Sequence, residues 1–481
     1  MNTYLIVILG YFAFVTIISI LTKKVASRSS ADFLIAGRNL GTLTCAIVVA
    51  AEWLGGMSTI GVSERAFKTG TLQPILYNLS TAAGMVIIGF TVARHYREKN
   101  VHTVSEMLHN LFGKKAATYS AIAFLIAYIT LAFVQLQTCA SVMAPLFNID
   151  WNWAVIIASI LITIYTYIGG MHALAITGII HVIAMFSGIG IALFVGMHKI
   201  NGLDPLTTRL LELGSPDNLY SPFSAGFKEG FKLLLGGVLG GMAGQASIQP
   251  IFAARDATIA KRAAILSAFF VAPFGVMIAL LGLIGKSGFF FDTATVKNAK
   301  MILPTLLSTP EFIHPLLGGL ALSGVLAAIL STVGPVNFAV VTIATKDIYQ
   351  GIIKKGAVDA ELISTARRLV LLVNLVTIPL AIISKGGVLD TAYISYAIRA
   401  IGAIVIIMGL YARKWITSDA VKAAFVGGTL VILIAVIAKA MKWFVLDETF
   451  IGVGSAVVFI ILGNLWTKYM RKENDLSCCG E

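Results

Sequence analysis

The chain has few charged side chains for its length. Only 12% of its 481 residues are Asp, Glu, Lys or Arg, whereas 58% are hydrophobic. Soluble proteins carry about 25% charged residues, because a surface in water must be polar. This composition excludes a soluble enzyme and indicates a protein whose surface faces mostly lipid.

Cysteine is also scarce. Two of the four cysteines, Cys45 and Cys139, stand in apolar runs, and the other two, Cys478 and Cys479, stand at the tail. This spacing provides neither a disulfide framework nor paired metal ligands, so we expect no cofactor. The net charge of +13 does not indicate nucleic acid, because the basic residues stand in short groups between apolar runs.

Long apolar runs are abundant. A helix needs about 20 apolar residues to cross a hydrocarbon core about 30 Å thick. Thirteen such runs, numbered here as spans 1 to 13, are bounded by charged or turn residues. Their limits are 2–21, 40–63, 72–94, 117–146, 152–170, 173–197, 229–253, 260–285, 315–345, 367–384, 391–412, 420–440 and 448–467. We therefore predict an all-α integral membrane protein with about 13 transmembrane helices.

The basic residues predict the orientation of the chain. Span 1 has no basic leader and no small-residue cleavage signal, and it is followed by Lys23, Lys24 and Arg28, so we predict a retained span rather than a signal peptide. Alternating from there, the loops assigned to the cytoplasm hold about twice as many Lys and Arg as the outer loops, as the positive-inside rule requires. We predict a multi-pass protein of the cell membrane with its N-terminus outside and its C-terminus in the cytoplasm.

The order of the spans suggests an inverted repeat. Residues 40–197 and 229–412 hold five spans each, and an odd number makes the two halves point in opposite directions across the bilayer. Transporters built this way bind substrate and ions near the midplane, where the first helix of each half is interrupted. Glycines stand in the first span of each half, as Gly55-Gly56 and in LLLGGVLGGMAGQ (233–245). They indicate two broken helices, or alternatively close helix packing.

No loop is long enough to form a separate domain. We therefore predict one transmembrane transporter domain over residues 1–481. Outside the two repeats it has an extra N-terminal helix and cytoplasmic loop (1–39), two extra C-terminal helices (420–467) and a cytoplasmic tail (468–481).

Ionisable residues at membrane depth are costly and therefore mark candidate sites. Glu52 stands beside the first glycine pair, where it would bind substrate, transfer a proton, pair with a base such as Arg399, or hold the frayed helix by a hydrogen bond. His181 is more readily explained as a packing residue than as a functional one. Arg399 is also compatible with a side chain that snorkels to the interface.

Two adjacent hydroxyls, Ser331 and Thr332, stand in the apolar segment AAILSTVGPVN. Such hydroxyls usually bond back to the carbonyl four residues earlier. A hard cation also takes oxygen ligands, which two hydroxyls and the carbonyls of an unwound helix would supply. Both interpretations are open at this point.

Four stretches of the chain resemble the sodium:solute symporter family. They are AAEWLGGMSTIG (50–61), YIGGMHALAITGIIHVIAM (167–185), GQASIQPIFAARDATIAKRA (244–263) and GVLAAILSTVGPVNFAVVTIATKDIY (324–349). The resemblance runs almost end to end. It implies the LeuT-type fold of five-plus-five inverted repeats, with span 1 and spans 12 and 13 as additions.

The resemblance also implies site residues. Its sodium site, formed by carbonyls of the broken first core helix and by a carbonyl and two hydroxyls of the eighth, falls here on Ala46, Val49, Ala328, Ser331 and Thr332. The substrate-binding positions it implies are Glu52, Trp53, Ser58, Asn78, Gln135 and Gln245. Many members have an acidic residue and a glutamine where this chain has Gly178 and His181, which weakens a second sodium site and leaves a proton role open to His181 or Glu52.

The function predicted from these observations is secondary active import of a small organic solute, coupled to sodium by alternating access. The mostly neutral candidate residues favour an organic acid, an amino acid or a vitamin-like solute. A sugar is disfavoured, because Gly240 stands near the place of an aromatic gate in sugar carriers. The expected partners are the solute, sodium and the lipid bilayer. A proton-coupled carrier is the nearest alternative, and a membrane sensor or an intramembrane enzyme is remote.

Overall fold

The computed structural model describes residues 3–26, 40–99, 101 and 103–478. Most of the predicted cytoplasmic loop within 1–39 lies outside these residues, as does Cys479. The described part of the chain is built of helices, with one isolated β-bridge between Leu40 and Ala254. The all-α prediction is therefore confirmed.

The α-helices are numbered in chain order. They are α1 (Thr3–Ala26), α2 (Thr42–Trp53), α3 (Val62–Thr69), α4 (Ile75–Thr91), α5 (Ala93–Glu98), α6 (Val104–Phe112), α7 (Lys114–Phe147), α8 (Trp151–Lys199), α9 (Leu203–Glu212), α10 (Phe227–Met242), α11 (Gln245–Phe252), α12 (Ala257–Ser287), α13 (Ile302–Leu307), α14 (Pro315–Thr342), α15 (Asp359–Ile383), α16 (Val388–Tyr411), α17 (Ser418–Ala440) and α18 (Glu448–Cys478). Wider π-helical turns run over Met57–Gly61, before α3, and over Ile343–Ile353, after α14.

The helices are long and apolar enough for a membrane protein. Among the described residues, eight helices could each cross a bilayer by length and composition, or ten segments if each of two bent helix pairs is one span. The three remaining predicted spans fall on shorter apolar stretches, Thr3–Ile18, Ile75–Thr91 and Trp151–Ile164. The count of thirteen crossings and the domain limits therefore remain predictions.

Predicted spans 5 and 6 both lie on α8. Within this helix, Ile176–Lys199 is long and apolar enough to cross a bilayer, and Trp151–Ile164 is a shorter apolar stretch.

The central helix of the fold is α14. Every residue from Ala321 to Ile343 is buried, which is the pattern of a helix surrounded by other helices. It packs against α1, α2, α7 and α8. Its contact with α8 is close, because a Cβ on Gly324 would lie 2.7 Å from the carbonyl oxygen of Ala184. This packing brings the hydroxyls in the middle of α14 against α2.

Candidate ion and solute site

The predicted break in the first span is present. Helix α2 ends at Trp53, and the chain resumes helical turns at Met57 with a bend of 53°. A Cβ on Gly55 would lie 1.8 Å from Thr332 Oγ1, and one on Gly56 would lie 2.2 Å from Thr138 Oγ1. The glycines thus stand at the break and also allow neighbouring helices to approach it, so both interpretations of the pair apply.

The break places carbonyl groups opposite the hydroxyls of α14. Ser331 Oγ donates to the Ala51 carbonyl at 2.7 Å, and Thr332 Oγ1 donates to the Glu52 carbonyl at 2.6 Å. Both hydroxyls also lie within hydrogen-bond distance of the Ala328 carbonyl, at 2.8 and 3.4 Å. The last carbonyls of a helix lack partners within it, which explains why these hydroxyls cap α2. Five oxygens converge here, all of the type that a hard cation takes as ligands.

The structure brings two carbonyls to the hydroxyls that differ from those predicted from the sequence. Ala46 and Val49 are buried in α2, but the hydroxyls of Ser331 and Thr332 contact the later carbonyls of Ala51 and Glu52. The composition of the cluster matches the resemblance, with two carbonyls from the broken helix and a carbonyl and two hydroxyls from α14. The ligand roles of Ala46 and Val49 remain predictions.

The second predicted break is also present. Helices α10 and α11 meet at a 41° bend, with Ala243 and Gly244 between them. Gly244 is the N-cap of α11, and a Cβ there would lie 2.1 Å from Arg399 Nη2. The side chain of Arg399, from α16, therefore reaches the second break.

Aromatic rings connect the two breaks. Trp53 packs edge-on against Tyr396, and the Tyr77 and Tyr396 hydroxyls are hydrogen-bonded at 2.8 Å. Tyr128 accepts a hydrogen bond from the Ala246 amide, in the first turn of α11, at 3.0 Å. All four rings are buried, and the Arg399 guanidinium lies over those of Trp53, Tyr128 and Tyr396. We refer to the four rings as the aromatic cluster.

The predicted substrate-binding residues are all buried. Asn78 Nδ2 donates to Ser58 Oγ at 3.1 Å, and Ser58 Oγ donates to the Trp53 carbonyl at 2.6 Å. Gln135 lies at the first break, since a Cβ on Gly56 would come 2.7 Å from its Oε1. Gln245 begins α11 at the second break, and its Oε1 accepts from the Val104 amide at 2.8 Å.

Several of these residues keep a buried polar atom without a hydrogen-bond partner. The atoms are Glu52 Oε2, Trp53 Nε1, Asn78 Oδ1 and Gln135 Nε2. Buried polar groups are normally paired, and each exception needs an explanation. Four such atoms near the breaks are what a binding site for a polar solute would leave.

The structure corrects one interpretation of Arg399, and the role of His181 remains a prediction. Arg399 does not snorkel to an interface, because it is only 1% exposed and lies against the aromatic cluster. The clue in the sequence was an arginine inside an apolar span. His181 Nδ1 is hydrogen-bonded to the Tyr11 hydroxyl, which joins α8 to α1 and fits a packing residue.

Ion pairs connect three helices at one end of the site. Arg65, in α3, pairs with Glu229 of α10 at 2.7 Å and with Asp390 of α16 at 3.0 Å. Both broken segments and the helix that carries Arg399 are thus tied together. These contacts lie at the end of α3 that the sequence predicts to face outside.

Comparisons with known proteins agree with this architecture. The sodium:solute symporter family model matches residues 33–429. The chain is 25% identical to the high affinity choline transporter 1 of Homo sapiens, over 75% of the chain and 63% of the relative. It is 24% identical to the osmoregulated proline transporter OpuE of Bacillus subtilis, over 89% of the chain and 85% of the relative. The match to the choline transporters of Homo sapiens and Torpedo marmorata thus spans less than two thirds of their length.

Two solved structures share the fold. A Na+-coupled sialic acid symporter in a substrate-bound outward-open state superposes with a TM-score of 0.80 at 17% identity, over 97% of this chain and 98% of the other. Mhp1, a nucleobase-cation-symport-1 family transporter in a closed conformation, superposes with a TM-score of 0.61 at 13% identity, over 92% of this chain and 96% of the other. The LeuT-type fold expected from the sequence is confirmed.

Proposed function

The chain belongs to the sodium:solute symporter family, and from this premise we propose that it imports a small organic solute together with sodium by alternating access. The relatives named as choline and proline transporters carry small organic solutes, which supports that class. The observation that carries the proposal is the cluster of five oxygens between the broken helix and Ala328, Ser331 and Thr332. We propose that sodium binds there, with carbonyls of α2 completing its ligands.

The geometry suggests how sodium and solute are coupled. The segment between Ala51 and Ser58 contributes carbonyls to the oxygen cluster and side chains to the solute site. An ion shifts an equilibrium between two conformations only as far as it binds them unequally. Sodium bound to the break would order this segment, so the solute would meet a prearranged site. A membrane potential of 100 mV adds about 2.3 kcal/mol per transported charge.

Uptake into proteoliposomes tests this function. An inward sodium gradient should drive accumulation of solute, and replacing sodium with potassium should abolish it. A proton gradient in place of sodium is the matched comparison, because the buried Glu52 carboxylate with its unpartnered Oε2 supports a proton-coupled carrier as the second candidate. Uptake that follows the proton gradient and ignores sodium would contradict the proposal in favour of that candidate.

We propose that the protein lies in the cell membrane with its C-terminal tail in the cytoplasm. Cys45 and Cys139 are buried, so the tail cysteines 478 and 479 are natural labels. A membrane-impermeant thiol reagent should label the protein in inverted vesicles and leave it unlabelled in intact cells. Labelling in intact cells would reverse the orientation.

The ion pairs of Arg65 are proposed to hold the outer path closed. Arg65→Gln removes both contacts, whose carboxylates are about half exposed. We expect solute uptake to fall about fivefold, because two such pairs contribute only about 1 kcal/mol together. Initial rates of uptake in proteoliposomes measure this effect. Arg94→Gln is the control, because it removes an exposed pair with Glu98 at 2.6 Å that is remote from the site. Equal rates in the two variants would contradict a gating role for Arg65.

A further inference from the structure

Arg399 is a buried cation with an incomplete set of partners. Its guanidinium carbon lies 4.7 Å from the Tyr396 ring centre, 5.5 Å from that of Tyr128 and 5.7 Å from that of Trp53. Ring faces attract the charge, but its Nε and Nη2 atoms have no hydrogen-bond partner. Leaving charged donors unpaired in a buried site is costly, so the contacts with the rings do not account for this side chain.

The two unpaired nitrogens lie on the same edge of the guanidinium. Nε and Nη2 together form the fork that matches the two oxygens of a carboxylate. The position of Nη2 beside Gly244 shows that this edge faces the second break. The arrangement is suited to a planar group with two acceptor oxygens.

The second break adds positive charge at the same place. Gly244 is the N-cap of α11 and makes no side-chain capping bond. The N-terminus of a helix carries a partial positive charge and favours anions. A guanidinium in contact with it is therefore an unfavourable arrangement, which an anion bound beside both groups would relieve. Ser247, in the first turn of α11, is a further buried hydroxyl and lies beside Glu52.

Glu52 does not neutralise Arg399 directly. Its carboxylate is close enough for a favourable electrostatic interaction with Arg399, but Glu52 Oε2 and both Arg399 nitrogens remain without hydrogen-bond partners. The site thus keeps a carboxyl group and a guanidinium near one another without an ion pair. An incoming solute can pair with either of them.

We propose that the transported solute carries a carboxylate, which binds to Nε and Nη2 of Arg399 beside Gly244. This assignment rests on the proposed function and names its substrate class. The aromatic cluster already holds the guanidinium, so a quaternary ammonium without a carboxylate would meet a cation in the place it needs. A zwitterion would also pair its ammonium with Glu52, whereas a simple organic acid would use Arg399 alone.

Matched solutes test the assignment on the purified full-length chain. Thermal shifts are measured in sodium buffer for two matched pairs, glycine betaine with choline and proline with prolinol. The other amino acids are measured in the same way. Acetate, propionate, lactate and pyruvate represent simple acids. We expect at least one carboxylate to stabilise the protein while its partner without a carboxylate does not. Stabilisation by choline or prolinol, or by no carboxylate at all, would overturn the assignment.

Sodium alone gives an independent readout. A shift produced by sodium and not by potassium, with no response to any carboxylate, overturns the substrate class and leaves sodium coupling standing. A response to carboxylates without any sodium effect overturns sodium coupling and leaves the substrate class standing. The two proposals therefore fail separately.

Variants locate the carboxylate. Arg399→Gln should weaken binding of the stabilising solute at least about 30-fold, and Arg399→Lys, which keeps the charge and loses the fork, should weaken it less. Arg413→Gln is the control, because its guanidinium also lies over a ring, that of Phe112 at 4.6 Å, beyond the end of α16. Glu52→Gln should weaken a zwitterion and spare a simple acid.

The sodium shift reports whether each variant is folded. A folded Arg399→Gln protein with unchanged affinity for the carboxylate would contradict the proposal. If that variant does not fold, Gly244→Ala replaces it, because the added Cβ would lie 2.1 Å from Nη2 and displace the guanidinium. The comparison of matched solutes on the unaltered chain decides the substrate class in either case.

Discussion

Replacing Ser331 and Thr332 together with alanine should raise the sodium concentration for half-maximal uptake more than tenfold. Each hydroxyl now bonds to a carbonyl at the end of α2, at 2.7 and 2.6 Å. Loss of a buried hydrogen-bond partner costs about 1–3 kcal/mol, and each 1.4 kcal/mol is a factor of about ten in affinity. Sodium titrations of uptake in proteoliposomes measure the change.

The matched control lies on the same helix. Ser323 is buried in α14, and its hydroxyl bonds to the Gly319 carbonyl of its own helix at 2.9 Å. Ser323→Ala should therefore leave the sodium titration unchanged, and Thr332→Ser should retain most of the affinity. An unchanged titration in the double variant would show that the hydroxyls only cap the broken helix.

Gly55→Ala should abolish sodium-driven uptake. The added Cβ would lie 1.8 Å from Thr332 Oγ1 and 2.4 Å from Thr332 Cβ, so either the break or α14 must move. Overpacking of this kind costs about 1–3 kcal/mol of folding free energy. We expect a folded protein with a lower melting temperature, measured by thermal unfolding, and no uptake above the potassium background.

Gly178→Ala is the control for an added methyl group. The nearest atoms to its Cβ would be Val48 Cγ2 at 3.7 Å and Ala51 Cβ at 3.8 Å, both of which are ordinary contacts. This variant should keep most of the uptake. If Gly55→Ala transports as well as Gly178→Ala, close packing at the first break is not required for transport.

Features that depend on local sequence could be predicted. The Gly55-Gly56 pair and the glycines before Gln245 stand where the helices break, because glycine both weakens a helix and admits a neighbour. The hydroxyls of Ser331 and Thr332 stood out because they are polar in an apolar run. The structure brings them against the first break, at the carbonyls of Ala51 and Glu52 rather than those of Ala46 and Val49 that the resemblance implied.

Features that depend on packing between distant segments could not be predicted. The register of α2 against α14, which selects the carbonyls of Ala51 and Glu52, is set by how two buried helices fit. The contacts of Arg399 with Trp53 of α2 and Tyr128 of α7 likewise join helices that are distant in the sequence. Sequence spacing gives no measure of such distances.

The central claim is that one sodium ion binds between the broken helix α2 and the hydroxyls of α14. Equilibrium binding of radioactive sodium to the purified full-length chain tests it most directly. We predict saturable binding that potassium does not displace, that Ser323→Ala retains and that the Ser331→Ala, Thr332→Ala double variant loses. Saturable binding that is the same in the double variant, or no saturable binding to the unaltered protein, would contradict the claim.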